Sequence, residues 1–93
     1  MIKCESLDDV RHNIDRIDNE IIKLIAERGV YVKQAAAFKK NEKGVRDKGR
    51  VEKVIAGARE KAVNHGADPD VVEIVYRSMI AAFINIEMKE FKK

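Results

Sequence analysis

A few charged side chains interrupt apolar patterns in which charge is costly. Arg28 occupies the gap between Leu24 and Tyr31 in an otherwise regular stripe, and Lys39 follows eleven positions later. On one continuous helix that spacing turns two side chains to within about 20° of each other and leaves their backbones about 16 Å apart. Long side chains leaning inward close most of that gap, leaving room for a small dianion. Arg11 is 17 residues before Arg28, so about 100° around the helix and about 26 Å away. It reaches the same ligand only from a second copy whose helix runs antiparallel. Glu87 falls four residues after Phe83, in line with Tyr76 and Met79. Asp47 and Arg50, three apart at a helix start, offer an acceptor for a hydroxyl and a cation for a carboxylate on a segment able to act as a lid. This inventory suits binding a small dianion and stabilising negative charge. It includes no covalent nucleophile with an activating base, no glycine-rich phosphate loop and no metal-ligand spacing around His12 or His65.

Each of these residues also has an ordinary structural explanation. Arg28 can snorkel at a helix–helix margin, and Lys39 can be a solvated cation at a helix end. Arg11 can be a plain surface charge. Glu87 can mark a helix turning outward and pair with Lys89 or Lys92. Asp47 and Arg50 can be a cap and an adjacent ion pair.

The positioning elements follow from period and punctuation. Val10, Ile14, Ile17, Ile21, Leu24, Tyr31, Ala35 and Phe38 recur at helical spacing. They predict a first helix from about residue 6, capped by Ser6 with Asp9 three residues on, to residues 39–41. About 33 residues of helix are about 50 Å long, whereas a compact chain of this size has a radius of gyration of about 12 Å. One chain cannot bury such a stripe along its length, so the helix asks for a partner, most simply its own copy. KNEKGVRDKG loses the period, contains Gly44 and Gly49, and reads as a loop. Asp47 opens a second helix with Val51, Val54, Ile55, Ala58 and Ala62 inward, closed by Gly66 after His65. Asp68-Pro69 opens a third, with Val72, Tyr76, Met79, Phe83 and Ile86 as its stripe, to about Lys89. The expectation is an all-α fold of three helices, long, short and medium, in one domain over residues 1–93, after a short frayed lead at residues 1–5.

Composition sets outer limits. A charged fraction of 38% with 45% apolar residues fits a helix-rich globular chain rather than a disordered one. The net charge of +3 permits an anionic ligand without demanding nucleic acid. The basic stretch 39–53 is broken by Glu42, Asp47 and Glu52 and lacks interleaved aromatics, so no nucleic-acid partner is expected. Cys4 has no second cysteine to pair with in the chain, no hydrophobic signal core opens the sequence, and no apolar run approaches the roughly 20 residues that span a bilayer. The expectation is a cytoplasmic protein with no membrane partner. A helical dimerisation module without enzymatic activity, its charges merely solvated, is a reading from another class.

The segments LDDVRHNIDRIDNEIIKLIAER, YVKQAAAFKK and VRDKGRVE, followed by the third helix through FINIEMK, span nearly the whole chain. In this order the sequence resembles the all-helical class of chorismate mutases and their close relatives, the isochorismate pyruvate-lyases. The resemblance implies an intertwined homodimer with two equivalent sites, each taking a small dicarboxylate substrate and needing no cofactor or metal. It implies that Arg28, and Arg11 from the other subunit, clamp the substrate's carboxylates. Lys39 becomes a donor to the ether oxygen whose bond breaks, and Glu87 the second donor, where many members carry Gln. Asp47 meets the ring hydroxyl, and Arg50 helps close the site. Phe83 lies where mutases often carry a small polar residue and is lyase-like; Asp47 points toward the mutase. The expected activity is chorismate to prephenate, with isochorismate to salicylate and pyruvate as the alternative. To donate, Glu87 must carry a proton, which burial and the bound dianion favour and Lys39 and the arginines oppose; if the cations prevail, turnover is best on the acid side.

Overall fold

The computed structural model describes residues 3–93, as four helices with no strand among them: α1 (Leu7–Ala36), α2 (Glu42–Val45), α3 (Lys48–Asn64) and α4 (Pro69–Phe91). They fall into two compact units, one running through Tyr31 and the other covering Val32–Lys93.

In the first unit, the Ser6 hydroxyl accepts the Asp9 N–H at 3.1 Å, and Asp9 Oδ2 in turn accepts the Glu5 N–H at 3.2 Å. The Ser6 bond satisfies one orphan donor at the start of α1, the Asp9 bond ties the preceding residue to the first turn, and Asp8 and Asp9 place negative charge at the positive end of the helix dipole. The Asn13 side-chain amide reaches Cys4 Sγ at 3.6 Å. Residues 4–6 are thus tied to the helix rather than frayed; Met1 and Ile2 of the expected lead lie outside the described residues. Ile14 and Leu24 of the stripe keep 50% and 60% of their surface exposed, and Val10, Ile17, Ile21 and Tyr31 are exposed with them.

The first helix ends earlier than its stripe predicts. After Ala36 the N–H groups of Ala37, Phe38 and Lys39 bond to the carbonyls three residues back, those of Gln34, Ala35 and Ala36, so the chain tightens and leaves the α-helix. Phe38, expected to end the stripe, is 84% exposed. Lys39 is off the helix, which removes the helical projection that aligned it with Arg28.

The second unit is built on α3 and α4. Asp47 caps α3 by accepting the Arg50 N–H at 3.0 Å, as its position before the resumed period predicts. Gly66, the only described residue with positive φ (76°), turns the chain after His65. Asp68 then accepts the Asp70 N–H at 2.8 Å, and Pro69 enters the first turn of α4, where its missing N–H goes unneeded. Arg59 pairs with Asp70 (3.0 Å) and Glu73 (2.8 Å), while Arg77 pairs with Glu73 (2.7 Å) and Glu52 (2.9 Å). Earlier α3 residues thus meet later α4 residues, so the two helices run antiparallel. Ile55, Ala58 and Ala62 of α3 and Ile80, Phe83 and Met88 of α4 are buried. Burying one such large side chain is worth about 1.5–3 kcal/mol. The core is small, and its best-covered member, Ile55, still keeps 3% exposure.

The stretch expected to be a loop contains a helical turn. Asn41 caps α2, Val45 is buried, α2 packs against α4, and Lys92 meets Glu42 at 3.3 Å. Glycine at position 44 hides this turn from propensity, because glycine is among the weakest helix formers.

Candidate active site

Lys39 and Glu87 come together in the second unit. Lys39 leaves the tightened turn after α1, and its ammonium lies 3.3 Å from Glu87 Oε2 and donates to the Gly44 carbonyl at 3.2 Å. The contact with Glu87 is within ion-pair distance but is not aligned as a hydrogen bond. Oε2 is buried and has no hydrogen-bond partner in the structure. Glu87 is only 7% exposed, one turn beyond the buried Phe83 on the same face of α4. An unsatisfied oxygen of this kind costs of order 1–3 kcal/mol, more when charged, so it calls for a reason. The ordinary explanation, an outward-turning Glu87 paired with Lys89 or Lys92, fails. Glu87 is buried and faces Lys39, while Lys92 is engaged by Glu42.

An ammonium has three N–H donors, and the Gly44 carbonyl takes one. Lys39 is about one-third exposed at its side chain and so keeps donors for an incoming oxygen. It also borders a hollow of about 330 Å³ with Lys33, Phe91 and Lys93. The pair thus sets an ammonium with spare donors beside a carboxyl that becomes a donor itself when it carries a proton.

The expected loop residues are present but less assembled. Asp47 and Arg50 meet through the cap, carboxylate to backbone N–H, and both side chains are exposed. Arg50 lines a groove of about 220 Å³ with Lys53, Lys61 and Tyr76, whereas Asp47 lines a separate hollow of about 760 Å³ with Asn41 and Arg46. On α1, Arg11 is exposed and Arg28 half-buried, both in the first unit. His12 and His65 are exposed, as expected of surface residues, and the described residues hold no group of three metal-ligating side chains.

Asn41 and Gly44 escaped sequence reasoning. The available signal was a capping Asn three residues before the glycine whose N–H it accepts at 3.0 Å. The Arg59–Glu73–Arg77–Glu52 ladder was missed as well, although Glu73 and Arg77 stand at the i,i+4 spacing of a helix pair.

Fold and site together define a small all-helical protein that sets a cation beside a buried carboxyl. The family model described as chorismate mutase type II matches residues 10–88, so the pattern spans α1 through most of α4. Among curated proteins, the chain is 31% identical over 90 residues to an isochorismate pyruvate lyase of Pseudomonas aeruginosa, covering 97% of this chain and 89% of that one. It is 33% identical over 78 residues to a chorismate mutase of Methanocaldococcus jannaschii, covering 82% of this chain and 78% of that one. The chain belongs to the type II chorismate mutase family.

Proposed function

We propose that this protein is a chorismate mutase that converts chorismate to prephenate. The reading rests above all on one observation: Lys39 Nζ stands 3.3 Å from a buried Glu87 oxygen that nothing else engages. In the rearrangement the ether C–O bond breaks while a C–C bond forms within the same molecule, so no nucleophile is consumed. The protein has two tasks. It must hold the enolpyruvyl arm folded over the ring, which converts binding into orientation. It must also stabilise the negative charge that grows on the ether oxygen with donors already in place. Lys39 supplies one such donor, and Glu87 supplies the second when its carboxyl carries a proton. Arg28, and Arg11 of a second copy, hold the two carboxylates; Asp47 receives the ring hydroxyl, and Arg50 helps close the site. Phe83, one turn before Glu87, forms an apolar wall.

The same proposal includes a homodimer in which the single domain of one chain completes the site of the other. The exposed stripe of α1 supports it, because about 45 Å of helix carries an apolar face left uncovered within one chain.

A second reading, isochorismate pyruvate-lyase activity, is favoured by the Pseudomonas relative and by the aromatic residue at position 83. Asp47 favours the mutase. Chorismate and isochorismate offered separately to the purified protein decide between them. Prephenate from chorismate is expected; salicylate plus pyruvate from isochorismate alone reverses the assignment. Turnover of neither, with no rise in melting temperature when either is added, leaves a helical dimerisation module.

A further inference from the structure

Lys39 is held by more than its contact with Glu87. Its ammonium donates to the Gly44 carbonyl at 3.2 Å. Its stem lies along the same glycine, so closely that a Cβ on Gly44 would stand 3.6 Å from Lys39 Cδ and 3.7 Å from its Cβ. Gly44 itself is fixed from the other side, because its N–H is shared between Asn41 Oδ1 at 3.0 Å and the Asn41 carbonyl at 3.1 Å. The helical turn that carries Gly44 has only four residues. So short a helix cannot stabilise itself, since nucleation costs more than one backbone bond returns. Its orientation therefore depends on the Asn41 cap, on buried Val45 and on the Lys92–Glu42 pair. The Gly44 carbonyl is one of the last carbonyls of that turn, which lack intrahelical partners and attract a cation.

We propose that Asn41 is a positioning residue for Lys39: by capping α2 it fixes the Gly44 carbonyl that holds the Lys39 ammonium beside Glu87. This rests on the reading of Lys39 as the donor to the breaking bond. The consequence is a division of labour. Asn41 touches no substrate, yet it sets how far the ammonium wanders between turnovers, and small misplacements of a catalytic group are costly.

The test uses the intact protein. Removing the cap with Asn41→Ala weakens the α2 turn by a factor of about 3 to 30 and lowers kcat by up to the same factor, while KM moves less than about 2-fold because uniform binding is untouched. Asn41→Ser, which restores a capping oxygen, recovers kcat to within about 2-fold of the starting protein. In ¹⁵N NMR of labelled lysine, the Lys39 ammonium exchanges its protons faster in Asn41→Ala than in the starting protein or in Asn41→Ser. Unchanged exchange in Asn41→Ala overturns the proposal, and so does a fall in kcat that serine fails to rescue or that KM mirrors. Lys39→Ala separates the two levels of the argument. If that variant turns over substrate normally, the reading of the site is wrong, whereas the exchange measurement still shows whether Asn41 restrains the ammonium.

Discussion

The segment through Tyr31 and the α3–α4 hairpin treat their apolar residues in opposite ways. Along α1, Val10, Ile14, Ile17, Ile21 and Leu24 keep a periodic stripe exposed. In the hairpin, Ile55, Ala58, Ala62, Ile80 and Phe83 are buried, and the flank is laced by Arg59, Glu73, Arg77 and Glu52. The hairpin buries a core of its own, although Val71, Ile74 and Val75 of α4 also stay exposed, while α1 has no buried residue before Ala36. Mutations in the two regions should therefore separate stability from the proposed assembly.

The largest expected effect comes from charging the exposed stripe. Ile17→Glu should convert the proposed dimer to a monomer in analytical ultracentrifugation and abolish turnover, because in that dimer each site takes Arg11 from the other copy. A variant that stays dimeric and active would break the contrast between the two regions. Next are Arg28→Ala and Lys39→Ala, each expected to lower kcat by at least about 100-fold, the scale of one lost charge-stabilising donor. Both should remain dimeric, which separates chemistry from assembly.

Within the hairpin, Ile55→Ala should destabilise by about 2–5 kcal/mol in denaturant titration, since a buried aliphatic is replaced by a cavity. A comparable truncation at exposed Ile22 should cost far less unless a partner covers it. Glu87→Gln sharpens the comparison at the site. The amide donates at any pH, so turnover that falls with rising pH in the starting protein should become flat in the variant. An unaltered profile removes Glu87 from the chemistry.

The smallest effect concerns the ladder. Hydrogen bonding to Arg77 lowers the Glu52 carboxyl below the ordinary value of 4.5. Arg77 first, then Arg59, does the same for Glu73. The two glutamates in turn raise Arg77 above its usual range. For carboxyls lowered by folding, the stabilisation is complete above about pH 4.5 and is lost as pH falls through the lowered folded values. Melting temperature should therefore decline below about pH 4.5, and Arg77→Ala should remove part of that decline. The groups are exposed, so the change is small and shrinks with added salt.

Much of the architecture was legible because it is local chemistry. Asp47 as a cap, Gly66 at positive φ, and Asp68 followed by Pro69 each follow from what a few adjacent residues do to orphan backbone groups. The apolar period of α3 was also readable, since Ile55, Ala58 and Ala62 are all buried, whereas on α4 only Phe83 of the expected stripe is buried, Ile86 is exposed, and Ile80 and Met88 take their places in the core. Beyond that range sequence reasoning failed. Residues 34–39 contain neither glycine nor proline, so nothing local announces that α1 ends at Ala36 and that Lys39 leaves the helix.

What the sequence determined by itself is the three longer helices, their caps and the presence of charge where apolar contact was expected. Only tertiary structure decided that Lys39 turns back onto Gly44 and that Glu87 is buried against it rather than paired with a surface lysine. The physical reason is separation along the chain. Caps and stripes bring together residues at most a few turns apart, whereas Lys39 and Glu87 lie 87 − 39 = 48 positions apart. Their meeting depends on how α4 packs against the capped turn of α2, through side chains such as Val45, and no local propensity carries that information.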